Sequence, residues 1–92
     1  MQSSIKSIKF YVDVPSIKRG GAGARDRVER EVKPTYVAVG EAVGDATIER
    51  LEVVTTPGPQ ATVEIHQWTT NGDSKVFIYQ LADILGRIEI TR

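Results

Sequence analysis

From residue 5 the chain alternates, with Ile8, Phe10, Val12 and Val14 on one side of an extended backbone and Ser7, Lys9, Tyr11 and Asp13 on the other. A period of two marks a strand with one face buried. Pro15, which has no N–H to give to a ladder, is expected to end it. Residues 35–43, TYVAVGEAV, are rich in β-formers but interrupted by Gly40, which predicts a strand with a bulge or a close approach by another backbone. Residues 46–55 read as a further strand; the spacing of Ile48, Leu51 and Val54 also suits a helix, and the β-branched content with the following TTPGPQ decides for strand.

Pro57-Gly58 has the residues a type II turn requires and is expected to fold residues 60–70 back on 46–55. Asn71-Gly72 is the strongest hairpin signal in the chain and joins ATVEIHQWTT to DSKVFIYQ, completing a three-stranded meander. The segment LADILG predicts one or two helical turns closed by Gly86, and RIEITR a last strand.

Residues 18–33, KRGGAGARDRVEREVK, break this pattern. Gly20, Gly21 and Gly23 predict a flexible hinge. In the part that follows, Asp26 and Arg30, Arg27 and Glu31, and Glu29 and Lys33 lie four apart and would pair on a helix. Val28 and Val32 would form its narrow apolar stripe. A helix this short is marginal alone and needs a surface to lie on. Extended, the same segment would put Val28 and Val32 on one side with Arg30 between them.

Charge sharpens that picture. Formal charge is zero, yet residues 18–33 hold six basic residues against three acidic ones, while the chain from Pro34 onward holds four basic against eight acidic. Such asymmetry suits contact with a polyanion or with the acidic part of a neighbouring copy. No stretch is long and apolar enough for a signal peptide or a membrane span, so the expectation is a soluble, unprocessed, cytoplasmic or virion protein with no membrane contact. With no cysteine and one histidine, neither disulfides nor a Cys/His zinc site can stabilise the domain. Ninety-two residues bury only about 60–65% of the unfolded surface, which leaves oligomerisation as the common remaining support.

Candidate chemistry is sparse. RGGAGARDR fits neither the P-loop nor the dinucleotide fingerprint. No nucleophile has a base at a recognisable spacing, and no metal or cofactor is predicted, so the chain reads as a non-enzyme. Two contact surfaces stand out. The arm, about residues 16–34, offers Lys18, Arg19, Arg25, Arg27, Val28, Arg30, Val32 and Lys33. A two-residue Asn71-Gly72 turn would place His66, Trp68, Lys75, Phe77 and Tyr79 on one face of the meander, the composition of a subunit interface, a base-stacking platform or an internally covered layer. One residue more in the turn would reverse these faces.

The expected fold is a β-rich α+β single domain over residues 1–92: a small antiparallel sheet, sandwich or barrel of five to six strands, with a C-terminal meander, one short helix and a protruding arm. The leading functional expectation is a structural or assembly protein, a homo-oligomeric subunit of a larger complex such as a viral particle. The alternatives are a nucleic-acid-binding module, with the arm on phosphates and the aromatics on bases, and a small inhibitor or adaptor that docks on another protein.

Overall fold

At Lys6 the chain crosses from one sheet to another, and that crossing sets the architecture. The computed structural model describes residues 2–92. Among these residues there are eight strands: β1 (Gln2–Ile5), β2 (Ser7–Lys18), β3 (Arg27–Ala38), β4 (Ala42–Val43), β5 (Ala46–Thr56), β6 (Thr62–Thr69), β7 (Ser74–Gln80) and β8 (Ile84–Thr91). One sheet runs β1-β5-β6-β7, with β4 paired to β5; the other runs β3-β2-β8, and every pairing is antiparallel. The Lys6 amide donates to the Thr91 carbonyl at 2.7 Å, and Val39 N–H donates to the Lys6 carbonyl at 2.8 Å, so the crossing point is held from both sides.

The protein is therefore a two-sheet β structure, and the expected α+β class with a short helix is corrected. Its only helical element among the described residues is a 3₁₀ turn at Leu81–Asp83, and Gly86 (φ 69°) lies inside β8 rather than closing a helix. The segment that the ion-pair spacing assigned to a helix is the first half of β3. Val28 and Val32 are β-branched and pair with Ile17 and Asp13 across the ladder, which supplies the neighbouring surface that a ten-residue helix would lack. Pro15 does not end β2. Beyond Val12 that strand has no partner on the β8 side, and an open strand edge tolerates proline. Gly40 (φ 95°) sits in the turn between β3 and β4 rather than in a bulge.

The core follows the alternation. Ile8, Phe10 and Val12 from β2 meet Ile48, Leu51 and Val53 from β5 and Val63 and Ile65 from β6, with Ile5 closing one end. Each such side chain, fully buried, contributes about 1.5–3 kcal/mol. The helix-like spacing of Ile48 and Leu51 has a strand cause. The register of β5 against β6 slips between Ile48 and Arg50, and this bulge turns both Ile48 and Leu51 inward.

Beyond this small core the hairpin β2–β3 projects outward. The radius of gyration is 16.4 Å, against about 12 Å for a compact chain of this length.

Candidate interface surfaces

The predicted arm is the outer half of a regular hairpin. All twelve residues of β2 pair with β3, from Ser7↔Ala38 to Lys18↔Arg27, whereas β8 accompanies β2 only as far as Val12. Antiparallel register then sorts the side chains. Ser16, Lys18, Arg27, Glu29, Glu31 and Lys33 share the face that continues the core, and Asp13, Pro15, Ile17, Val28, Arg30 and Val32 share the other.

The charged face is largely neutralised within itself. Lys18 Nζ donates to Glu31 Oε1 at 3.0 Å, Arg27 pairs with Glu29 at 3.0 Å, and Lys33 lies 4.0 Å from the other oxygen of Glu31. The hydrogen bond and charge of Glu31 hold the Lys18 ammonium above its ordinary value, while the hydrogen bonds from Lys18 and Ser16 hold the Glu31 carboxyl below its own. None of the three helical pairings expected from the sequence forms. Arg19 and Arg25, at the tip, carry no ion pair among the described residues.

The opposite face is apolar and open. Ile17 is 71% exposed, Val28 66% and Val32 57%, and the stripe continues toward the body through Tyr11, Tyr36 and Leu85. Arg30 lies within it and is neutralised by Asp13, whose carboxylate accepts from the Arg30 Nε and Nη2 at 3.1–3.2 Å. Asp13 is the residue that makes the extended arrangement workable, and a helical reading of residues 24–33 alone could not find it.

The three glycines form a closed tip instead of a hinge. Gly20 N–H donates to Asp26 Oδ1 at 3.1 Å and Ala24 N–H to the Gly21 carbonyl at 2.9 Å. A Cβ on Gly20 would lie 2.7 Å from the Ala24 carbonyl and from the Arg25 oxygen, so the close approach itself requires glycine; at Gly21 a Cβ would meet nothing within 4 Å.

The aromatic face expected on the meander is two faces. Its turn is a three-residue loop, Thr70-Asn71-Gly72: the Thr69 amide donates to the Asp73 carbonyl at 3.0 Å, the Gly72 amide to the Thr69 carbonyl at 3.0 Å, and Gly72 has φ 89°. Asn71 stabilises this longer loop by accepting from the Thr69 hydroxyl at 2.6 Å and from the Asp73 amide at 3.2 Å. Trp68 consequently faces Ser74, His66 faces Val76, and Phe77 faces Ile65. Lys75, Phe77 and Tyr79 lie on the inner side, where the Tyr79 ring meets Phe10 edge-on at 5.0 Å. His66 and Trp68 lie on the outer side with Val76 and Ile78.

Trp68 is already covered by its own chain. The Arg50 guanidinium sits 3.9 Å from the centre of the indole, and the His66 ring stacks beside it at 6.1 Å. His66 Nε2 is buried and makes no hydrogen bond; Glu64 Oε1 lies 3.5 Å away. Arg50 escaped the sequence reading because only the bulge in β5 brings it opposite Trp68. Among the described residues no cluster of three acidic, histidine or cysteine side chains is placed to hold a metal ion, and no helix is long and apolar enough to cross a membrane.

Comparison with known proteins adds one match. A family model described as the Enterobacteria phage T3 gene 1.05 protein covers residues 4–92. No curated protein and no solved structure matches the chain.

Proposed function

The chain belongs to the family of the Enterobacteria phage T3 gene 1.05 protein, and from that premise we propose that it is a non-enzymatic assembly protein, a subunit that joins a larger phage complex through its projecting hairpin. The observation that carries this reading is the uncovered apolar stripe Ile17, Val28 and Val32 on a hairpin that extends beyond its own core. Contiguous apolar surface is uncommon on soluble monomers and marks a surface that meets a partner. The self-neutralised opposite face supports the same reading, because paired lysines and arginines have less charge to offer to phosphates.

Size-exclusion chromatography with light scattering, run over a range of concentrations, tests it. The wild-type chain is expected to associate as concentration rises. The double substitution Ile17→Asp with Val32→Asp, at two exposed positions, is expected to weaken that association roughly tenfold or more while circular dichroism stays that of a β protein. A chain that remains monomeric throughout overturns the reading. So does a gel shift with oligonucleotides that weakens linearly in the logarithm of salt concentration and disappears on neutralising Arg19 and Arg25, which would establish the nucleic-acid alternative.

A further inference from the structure

The two sheets have four lateral edges: β1 together with the two-residue β4, which also pairs with β5; β7; β3; and β8. An open edge offers unpaired N–H and C=O groups to any passing strand, and proteins blunt it with charge, proline, bulges or brevity. Three of the four are blunted in this way. The outer edge of β3 carries Arg27, Glu29, Arg30, Glu31, Lys33 and Pro34. The edge at β8 has Gly86 in the left-handed region, a register slip opposite Lys9 and Tyr11, and Arg87 and Glu89 on either side of Ile88. The edge at β1 is four residues long.

β7 has one of these protections at most, the single Lys75 near its start. SKVFIYQ contains no proline, no glycine and a single charge at one end, and its register against β6 runs unbroken from Trp68↔Ser74 to Thr62↔Gln80. Its side chains are also uncovered: Ile78 is 63% exposed, Val76 49% and Phe77 37%, although Phe77 lies on the inner side of the sheet.

The strand is moreover complementary to itself. Laid antiparallel on a second copy about a two-fold axis at Phe77, Phe77 meets Phe77, Val76 meets Ile78, Lys75 meets Tyr79 and Ser74 meets Gln80. No like charges come into opposition, and aromatic and β-branched residues meet in the cross-strand combinations that stabilise sheets. The same operation keeps both inner faces on one side of the joined sheet and sets the two exposed Phe77 rings side by side there. An isologous contact of this kind closes after two copies.

We infer that two copies of this chain join through β7, antiparallel about Phe77, into one continuous sheet. This adds a second surface to the assembly reading, which rests on the hairpin, and the two surfaces are probed by different substitutions.

The chain has no cysteine, so the register can be read directly by cross-linking. Opposed residues in an antiparallel pair have Cα atoms about 4.5–5.5 Å apart, inside the range that a disulfide spans. Under mild oxidation Phe77→Cys is expected to yield a covalent dimer. Val76→Cys and Ile78→Cys are each expected to stay monomeric on denaturing gels, yet to cross-link when mixed. Without oxidation, Ile78→Lys, at an exposed position, is expected to weaken dimerisation roughly tenfold. Cross-linking of Phe77→Cys no faster than that of Val76→Cys, or a dimer indifferent to Ile78→Lys, overturns the inference. If the Ile17→Asp with Val32→Asp variant keeps the Phe77→Cys cross-link but loses larger species, both surfaces stand. If larger species persist in that variant, only the hairpin reading falls.

Discussion

The inner and outer halves of the β2–β3 hairpin share two strands and one unbroken ladder, yet they carry their apolar residues on opposite faces. Near the body the apolar positions are Ile8, Phe10, Val12 and Val37, all turned toward the other sheet. Past Val14, which still packs against the core, that face becomes Ser16, Lys18, Glu29 and Arg27, and the apolar residues move to the reverse side as Ile17, Val28 and Val32. A shift of one residue in a period-two pattern is enough to do this. The lesson is that the change of phase marks where the protein's own core ends, and that the outer half turns its apolar side away from that core.

The largest effect should separate the halves. Phe10→Ala, at a side chain 1% exposed, is expected to cost about 3–5 kcal/mol in urea denaturation, whereas Ile17→Ala should stay within about 0.5 kcal/mol for the monomer. Similar losses at both sites would break the comparison, because Ile17 would then be packed. A smaller effect concerns the tip. Gly20→Ala must displace backbone at 2.7 Å and is expected to cost about 1–3 kcal/mol, read as faster hydrogen exchange confined to residues 18–27, with Gly21→Ala as a silent control.

The smallest effect is electrostatic. Glu31 titrates below its ordinary 4.5 in the folded hairpin, so the contribution of its pairing is present above that value and fades as pH falls through the lowered one. Lys18 titrates above its ordinary 10.5, so its contribution is whole below that value and fades as pH rises through the raised one. Protection of the tip amides, taken relative to their intrinsic exchange rate at each pH, should accordingly be greatest between these limits, and Glu31→Gln should flatten the acid limb while leaving the protection of Phe10 unchanged.

How far these halves could be read in advance depends on which signals compete locally. The inner half was legible, because Ile8, Phe10, Val12 and Val14 alternate without interruption and nothing at helical spacing contradicts them. The outer half was not, because its charges fall at i, i+4 and its two valines do likewise; only Asp13 and Ile17, more than ten residues away in sequence, favour the extended form. The meander shows the same limit at finer scale. Its strands and turns were legible, but the side-chain contacts of Asn71 with Thr69 and Asp73 lengthen the loop by one residue, which sends Phe77 and Tyr79 inward and leaves Trp68 outside. The grouping of the chosen residues into faces thus depended on register.

The crossing at Lys6 also orders events in time. β2 is the middle strand of its sheet, and its second neighbour, β8, lies some eighty residues further along the chain, with Ser7 opposite Thr91. During synthesis the hairpin can zip early, since its partners are close in sequence, but its base stays without one neighbour until β8 has emerged from the ribosome. Throughout that interval the β2 edge on either side of Phe10 lacks the strand that pairs with it in the finished sheet. Closing the domain therefore waits for β8, well after the hairpin has been able to form.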